Sequence, residues 1–435
     1  MSGRLAALAR RRIDGPAVRA VLDRIAFGPL SRNKILAGTV IAVCLVVFIL
    51  QTISFVFLWD TDSPSYYVAA QGLRRHVAIY DDRAFQDLGA ELFGKSVIVY
   101  PYIYPPPLAQ ILIPLAALPE EAYFQVLYGI NLLLTLLCLY LMVDVLELKT
   151  GGPGGAGRAG TLPVLFLFVL LVANHPLEIT IHHGQINLLV LAFVLLFLKF
   201  EKSGKSPAAG LFLALAVLIK IYPVLLILPA LFARKWRSVA AFAGATIALA
   251  LASLAASGPA LWAGFLRSTV EVFLGKPASV FIRGFQSSPN NLSLKGLLAQ
   301  AVSLFRLPTA TAPAVYVLAA AGMFVLLLAT ARRTGLASDI PLQGALLLIA
   351  TLILAPLTWS HHYTVVMFPL AYVFARAVRE RRYAAFLPFA VLGAIILYYP
   401  VGGGFPFNQA RLLAALAFFA ALPAFARLRS EAARA

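Results

Sequence analysis

Long apolar runs separated by short polar loops are the feature that most constrains the fold of this chain. Of its 435 residues, 61% are hydrophobic and only 12% are charged, whereas about a quarter of the residues in an ordinary soluble domain carry a charge. Four of the runs cover residues 35–58, 122–143, 311–331 and 409–426. At ~1.5 Å per residue, a helix of about 20 residues crosses the ~30 Å hydrocarbon layer of a bilayer. The sequence therefore predicts an all-α, polytopic integral membrane protein.

Positive charge collects in the segments between these runs. The net charge of +18 does not require a nucleic-acid partner, because Lys and Arg in short loops mark the cytoplasmic side of a membrane protein. Residues 1–34, for example, hold eight Lys and Arg. Applied along the chain, this rule predicts about twelve transmembrane helices (roughly 10–13) with both termini in the cytoplasm, as in a multi-pass protein of the inner (plasma) membrane.

Two proline-containing segments interrupt the regular pattern. Residues 105–118 follow the start of YPPP (104–107) and are short, so we expect a re-entrant or half-buried segment that does not cross. At KIYP (220–223), proline disfavours a continuous helix. We therefore expect the run 207–233 to form two short spans that turn on the outer side.

These assignments give one transmembrane domain with two long outer loops. The predicted parts are a basic cytoplasmic arm (1–34), the transmembrane domain (35–427) with outer loops 59–104 and 258–310, and a cytoplasmic tail (428–435). A shorter outer loop is expected over 174–184. In the first long loop, Phe85, Leu88 and Leu92 share one helical face, which predicts a helix at the membrane interface. A plain solvated loop helix is the alternative.

Nearly every unusual polar motif falls on the predicted outer face. The motifs are WDTDSPSYY (59–67), YPPP (104–107), HPLEITIHHGQIN (175–187), KIYP (220–223), SSPNN (287–291) and WSHHY (359–363). Together they supply acids, histidines, a lysine and amides. A membrane protein that gathers such groups at one face is expected to bind a ligand or perform chemistry there.

The first motif supplies the candidate general base. Ser63 and Pro64 predict a helix start, with Ser63 as N-cap and Pro64 in the first turn. Asp62 would then lie at the positive end of that helix, which favours its ionised form, and a carboxylate there could act as a base towards a sugar hydroxyl. Asp60 is the second candidate. The alternative is a pair of interfacial acids within an aromatic belt.

Four cationic or potentially cationic side chains are candidates for binding a phosphate: Lys220, Arg283, His361 and His362. A lysine inside a membrane segment costs on the order of 2.5–3.5 kcal/mol, and an adjacent anion would offset this cost. Snorkelling of Lys220 and simple solvation of the histidine pair are the alternatives. His182 and His183 form a second pair, but HExxH spacing and a Cys ligand are lacking on this face, so neither a metal nor another cofactor is predicted.

Aromatic and amide side chains are candidates for contacts with sugar hydroxyls. They are Tyr66, Tyr67, Gln185, Asn187, Asn290, Asn291 and Trp359. Amides such as these also commonly cap turns, so a purely structural role stays open.

In this order, the motifs resemble those of glycosyltransferase family 87. The resemblance is carried by Asp62 and Tyr66 after the first span, YPP, GQIN, KIYP ahead of RKWR, and WSHH, and it runs from about residue 35 to about residue 400. The family consists of polytopic GT-C-class enzymes, including polyprenol-phosphate-mannose-dependent mannosyltransferases. No single motif is specific, but their order and spacing together are.

The resemblance implies a GT-C-like fold and an inverting transfer at the extracytoplasmic face. A polyprenyl-phosphate sugar would donate a hexosyl residue, with mannosyl as one candidate, to a glycan or glycolipid acceptor. Membrane lipid would be a further partner of the protein. Carried onto this chain, Asp62 would be the base, while Lys220 and the pair His361/His362 would hold the donor phosphate. Asp60 leaves the choice of base open, and the acceptor is also open.

A transporter or flippase of lipid-linked sugars is the main alternative. Such a protein typically shows an internal repeat and places polar groups near the bilayer midplane. Here the motifs cluster on one face and no convincing repeat is found, which favours an enzyme. A non-catalytic assembly partner is a third possibility, in which Asp62 would not be needed for turnover.

Overall fold

The computed structural model describes residues 20–21, 23, 34–53, 62–94, 99–148, 162–274, 280–308, 311–333, 339–398 and 404–432. Within these ranges the regular secondary structure is helical and contains no strand. The prediction of an all-α membrane protein is therefore confirmed at the level of fold class.

Helices long and apolar enough to cross a membrane occur at four places in the described ranges. They are Ile35–Ile53, Glu120–Val145, Trp236–Ser257 and Phe407–Ala426. A pair bent by 54°, Leu162–Val172 and His175–His182, would make a fifth span if it counts as one. Other apolar helices have only 10–17 residues, or about 15–25 Å of length. The count of about twelve crossings stays a prediction.

The first described helices include two that lie in the predicted first outer loop. They are α1 (Lys34–Ile53), α2 (Ser63–Arg74), α3 (Asp82–Phe93), α4 (Pro106–Leu112), a 3₁₀ turn at Leu115–Ala117 and α5 (Glu120–Val145). Asp81 caps α3 by accepting the Ala84 N–H at 2.9 Å. Phe85 and Leu88 are buried on the predicted apolar face. With seven residues, α4 spans about 10 Å, so residues 105–118 do not contain a full-length crossing helix.

The central part of the chain packs as a layer of successive helices. They are α6 (Leu162–Val172), α7 (His175–His182), α8 (Asn187–Lys202), α9 (Ser206–Ile219), a 3₁₀ segment at Tyr222–Ile227, α10 (Leu228–Phe232) and α11 (Trp236–Ser257). Helix α8 packs on α5 and α9, and α9 on α11. Gly210 allows the last contact, because a Cβ there would lie 2.5 Å from the Ala241 carbonyl carbon. Small residues permit such close packing of membrane helices.

Two predictions about this region can be compared directly with the structure. The expected outer loop 174–184 is largely helical, because the Asn174 side chain caps α7 by accepting the Leu177 N–H at 3.0 Å and Pro176 occupies the first turn. The outer location of this segment stays a prediction. The break at KIYP is confirmed: α9 ends at Ile219, and Lys220 is extended with φ −141° and ψ 129°.

The last part of the chain forms the second half of the core. Its helices are α12 (Pro259–Leu274), α13 (Val280–Ser287), α14 (Leu294–Leu304), α15 (Thr311–Arg333), α16 (Ile340–Leu354), a 3₁₀ segment at Ser360–Val366, α17 (Met367–Arg379), α18 (Tyr383–Tyr398), a 3₁₀ turn at Phe407–Gln409 and α19 (Ala410–Ala432). The predicted outer loop 258–310 thus contains three helices. Helix α16 is buried along nearly its whole length. Contacts of α8 with α16, and of α7 with Ser360–Val366, join the two halves.

Apolar side chains also cover the outside of the bundle. Helix α11 is mostly exposed, with Ile247 60% and Leu251 57% accessible, although its mean hydropathy is 2.1. A helix that is apolar on its exposed side is stable in contact with lipid rather than water. The structure therefore agrees with a membrane location.

Candidate functional site

A cavity of about 950 Å³ lies where several distant chain segments meet. Its wall includes the start of α2, the segment before α4, the turn between α7 and α8, the break after α9, and the segment that begins at Trp359. Apolar side chains form most of this wall. Acids and bases among its described residues are Asp62, His175, His183, Lys220, His361 and His362.

Gly184 brings the turn between α7 and α8 against the start of α2. Its φ is +56°, and a Cβ at this position would lie 2.7 Å from Ser63 Cβ and 3.2 Å from Leu127 Cδ2. Both the left-handed backbone and the close approach favour glycine. The neighbours of this glycine, His183 and Gln185, consequently reach the side chain of Asp62.

Asp62, rather than Ser63, is the N-cap residue of α2. The helix begins at Ser63, and the Asp62 side chain makes no capping hydrogen bond, so the prediction of Ser63 as N-cap was wrong. The carboxylate instead accepts a hydrogen bond from Gln185 Nε2, and its Oδ2 lies 3.6 Å from His183 Nδ1. The Asp62 carboxylate thus contacts side chains from the α7–α8 turn instead of capping the N-terminus of α2.

The surroundings of Asp62 keep it ionised. Burial acts to raise the pKa of this carboxyl, but the nearby His183, the electrostatic influence of His361 and the hydrogen bond from Gln185 outweigh it. The net pKa lies below the ordinary value of 3.8. Asp62 is therefore a carboxylate at neutral pH, as predicted, and polar side chains account for this rather than a capping interaction.

Lys220 belongs to the same group of polar side chains and is buried, with 4% of its surface exposed. Its Nζ donates to Asn187 Oδ1 at 2.6 Å and to Gln185 Oε1 at 3.5 Å, and it lies 5.1 Å from the centre of the Tyr104 ring. Among the described residues, no carboxylate oxygen lies within 4.0 Å of Lys220 Nζ, which is the limit for an ion pair. The amine is held by neutral amide acceptors and borders the cavity.

A single buried amide connects Asp62 with Lys220. Gln185 donates from Nε2 to Asp62, while its Oε1 accepts from Lys220 and, at 2.8 Å, from the Tyr66 hydroxyl. Tyr66 also lies 3.0 Å from the Tyr104 hydroxyl. Because each polar atom of this amide has a partner, its orientation is fixed. The carboxylate and the lysine are thus held at a defined separation.

The two histidines of WSHH have different environments. His362 Nδ1 accepts the Trp359 backbone N–H at 2.9 Å, so in the neutral ring the hydrogen is on Nε2, which lies 3.3 Å from Lys220 Nζ. His361 is 5% exposed, and its ring centre is 5.6 Å from that of His183. One histidine therefore lies beside the lysine and the other beside the Asp62–His183 pair.

The comparisons with known proteins identify the family. The model of glycosyltransferase family 87 matches residues 102–357, which is more than half of the chain. The chain belongs to glycosyltransferase family 87. It is therefore a membrane glycosyltransferase, with sugar donor and acceptor substrates. The comparison with curated proteins finds no match.

The matched range covers only part of the site of this family 87 enzyme. Lys220 and the GQIN segment lie within residues 102–357, whereas Asp62 and the two histidines of WSHH lie outside. Their association with the rest of the site comes from the fold: α7 packs on Ser360–Val366, and the turn at Gly184 contacts the start of α2.

Several residues expected to contact a sugar lie behind the cavity wall of this glycosyltransferase instead. Gln185 and Asn187 are fully buried and hold Asp62 and Lys220. Tyr67 donates its hydroxyl to the Leu118 carbonyl at 3.1 Å. The side chain of Asn291 bonds the backbone of Gln286, Pro356 and Thr358. The structure gives these side chains protein partners, so they shape the site without lining it.

The remaining candidates are divided between the cavity and its surroundings. Asn290 and Trp359 line the cavity. Arg283 is exposed on α13 and is not part of the lining, so the expectation that it holds the phosphate has no geometric support. Asp60 lies outside the described residues.

Asp62, His183 and His361 each place one potential metal-ligand atom within 4.8 Å of the other two. One carboxylate and two imidazoles are donors that zinc accepts. The prediction that no metal is required stays a prediction.

Sequence reasoning missed two residues of the site. His183 was considered only as a zinc ligand, although it immediately precedes GQIN, and it is the nearest base to Asp62. Tyr104 belongs to YPPP, and its ring faces Lys220. The position of both in polar motifs was a usable signal, but their partners are far apart in sequence.

Proposed function

We propose that this enzyme transfers a hexosyl residue, with mannosyl as the first candidate, from a polyprenyl-phosphate sugar to a hydroxyl of a glycan or glycolipid. The transfer inverts the anomeric carbon and takes place at the extracytoplasmic face of a GT-C-like membrane domain. The observation that supports this most directly is the Gln185 bridge, which holds the Asp62 carboxylate and the Lys220 amine beside one cavity.

Lys220 and His362 are suited to a phosphate. The Lys220 ammonium and the Nε2–H of His362 are both donors and lie 3.3 Å apart. A phosphate oxygen that accepts from both would replace this donor–donor contact with two hydrogen bonds. As the glycosyl bond breaks, a phosphodiester with one negative charge becomes a monoester with two. Donors already in place stabilise that added charge without reorganising.

The cavity is suited to a lipid-linked donor. About 950 Å³ is at the upper end of the ~300–1,000 Å³ found for small-molecule sites, which leaves room for a sugar and phosphate together with the adjoining prenyl units. Its wall beyond the polar cluster is apolar and includes Ile103, Val224 and Leu354. A sugar alone would gain little from such a wall.

The set of carboxylates is suited to a single displacement. Asp62 is the only carboxylic acid among the described residues that line the cavity. A double displacement with retention typically uses two carboxyl groups ~5–5.5 Å apart. One base is sufficient for inversion, because the phosphate leaves without needing a proton.

The decisive experiment compares the wild-type enzyme with Asp62→Asn. Purified enzyme would be incubated with radiolabelled polyprenyl-phosphate hexoses and membrane glycolipid acceptors, and NMR of the product would give the anomeric configuration. We expect transfer with inversion, and a fall of about 10³-fold or more in kcat for Asp62→Asn, as when the carboxylate of a base system is neutralised. Donor affinity should be retained.

Three results would contradict this proposal. Intact lipid-linked sugar crossing the membrane of reconstituted vesicles, without covalent transfer, would support the transporter alternative. Retention of configuration would exclude the single displacement. If Asp60→Asn abolishes transfer while Asp62→Asn does not, the base is Asp60.

A further inference from the structure

His183 lies in the cavity wall beside Asp62 and has no role in the chemistry described so far. Its Nδ1 is 3.6 Å from Asp62 Oδ2. The two side chains remain accessible, with 32% of His183 and 23% of Asp62 exposed, and both line the cavity. A substrate hydroxyl in the cavity can therefore approach either of them.

The ring of His183 presents its Nδ1 to Asp62. Because Nδ1 faces the carboxylate, Nε2 lies on the other side of the ring, and in the described part of the chain no protein group hydrogen-bonds it. The two other rings that contact His183 are His182 and His361, with centres 5.4 and 5.6 Å away. An Nδ1–H directed at Oδ2 would leave Nε2 unprotonated and available to accept a proton.

This arrangement matches a general chemical pattern. A carboxylate that accepts Nδ1–H fixes the tautomer of an imidazole and stabilises the imidazolium that forms when Nε2 takes a proton from a hydroxyl. Gln185 donates to the same oxygen, Asp62 Oδ2, and so fixes the position of the carboxylate that His183 faces. Asp62 itself has a lowered pKa and is for that reason a weak proton acceptor.

We propose that His183 is the catalytic group that accepts the proton of the acceptor hydroxyl at Nε2, and that Asp62 positions and stabilises it. This inference rests on the proposed function. In the step, the acceptor oxygen forms a bond to the anomeric carbon while the bond from that carbon to the phosphate oxygen breaks, and its electron pair leaves with the polyprenyl phosphate. The hydroxyl proton moves to Nε2. The phosphate gains one negative charge and the imidazole one positive charge, so the charge balances.

Two substitutions of His183 separate proton transfer from positioning. His183→Ala removes both functions. His183→Asn keeps an N–H donor near the place of Nδ1 but has no basic nitrogen. We expect both variants to lose about 10²–10⁴-fold in kcat, the usual contribution of general base catalysis. Donor affinity should be unchanged, because Lys220 and His362 are untouched, and it would also show that the variants are folded.

Chemical rescue gives a readout that a structural role would not affect. The space left in His183→Ala adjoins the cavity, so added imidazole can enter it. We expect the rescued rate to rise across a series of substituted imidazoles as the pKa of the added base rises. His182→Ala is the matched control, since this neighbouring histidine is not part of the cavity lining, and its rate should match wild type.

Each contrary result has a defined meaning. Near wild-type transfer by His183→Asn would show that His183 only orients Asp62. Rescue that is independent of the pKa of the imidazole would show that the ring only fills space. Loss of wild-type activity with EDTA, restored by a divalent metal, would make His183 a ligand and overturn the proposal. If the wild-type enzyme itself transfers no sugar, the proposed function fails instead.

Discussion

The buried charges at the two ends of helix α8 have different kinds of partners. At its start, Lys220 contacts Asn187 and Gln185 but forms no ion pair with a described carboxylate. At its end, about 20 Å away by helix length, Glu201 accepts from Lys235 Nζ at 2.9 Å and from Ser238 Oγ at 2.8 Å. The first charge borders a cavity of about 950 Å³, whereas the second is neutralised within the protein.

The same contrast is found along α17. This helix follows the WSHH segment of the site and ends in the pair network of Arg376, which bonds Asp339 at 3.3 Å, Glu380 at 2.9 Å and Tyr372 at 2.6 Å. A buried charge with all its partners contributes to the fold, and its removal leaves the partners unpaired. A buried charge with only neutral partners is available to bind a charged ligand. For Lys220, Glu201 and Arg376, the contrast therefore separates the proposed functional charge from the two structural ones.

The strongest test of this contrast compares two lysines. Lys220→Met should lower kcat by about 10²–10³-fold, as when one donor to a developing negative charge is removed, and should leave thermal stability unchanged or higher, because an apolar side chain replaces a buried cation. Lys235→Met should lose on the order of 1–2 kcal/mol of stability, because Glu201 loses its partner, and keep its rate. Initial rates per folded enzyme and thermal unfolding would measure both.

The reverse result would contradict these roles of Lys220 and Lys235. If Lys220→Met unfolds readily while its folded fraction transfers sugar at the normal rate, Lys220 is a structural residue and the phosphate has another partner. A rate loss in Lys235→Met would show that the opposite end of α8 also acts in turnover.

The next largest effect is expected for a pair of glycines at the two ends of α8. Gly184 and Gly204 have φ values of +56° and +70°, but a Cβ on Gly184 would meet Ser63 at 2.7 Å while one on Gly204 would meet nothing within 4 Å. Gly184→Ala should displace Asp62 and lower kcat by roughly 10–10²-fold, since a shift of about 1 Å in a reacting group can cost that much. The reaction rate at saturating substrate would measure this loss.

Gly204→Ala provides the control for backbone strain. It should lose about 1–2 kcal/mol of stability, the cost of placing a Cβ in the left-handed region, with no change in rate. Equal rate losses in both variants would mean that the strained turn, rather than the contact with Ser63, determines the position of Asp62.

The sequence predicted those parts of the fold that depend on local composition. Apolar runs gave the helical class, the proline of KIYP gave the break after α9, and the spacing of Phe85 and Leu88 gave the buried face of α3. The helix at 175–182 was missed because HPLEITIH has a polar composition. The number of crossings could not be fixed, since several apolar helices are shorter than a bilayer.

Predicting the site required more than composition. The motifs indicated which segments would converge, and Asp62, Lys220, His361 and His362 do border one cavity. Which side chains face the cavity depends on the rotation of each helix and on partners far apart in sequence, such as Gln185 and Asp62 at 123 residues and Lys220 and His362 at 142. Gln185 and Asn187 were therefore expected to contact sugar, although their amides are used within the protein, and the nearness of His183 to Asp62 was not predicted.

The smallest effect on transfer is expected at Arg376, a buried charge with acidic partners. The guanidinium is 8% exposed, and its three nitrogens donate to Glu380, Asp339, Tyr372 and the Ala426 carbonyl. Arg376→Met should lose on the order of 3 kcal/mol of stability, because two acids lose a buried partner. Arg379→Met makes the same change of charge on an exposed position of the same helix and should stay within about 0.5 kcal/mol of wild type.

Both variants should transfer sugar at the wild-type rate per folded molecule, measured below the unfolding temperature, because neither side chain borders the cavity. A selective rate loss in Arg376→Met would instead couple this end of α17 to the histidines at its start, and the division between structural and functional charges would not hold along that helix.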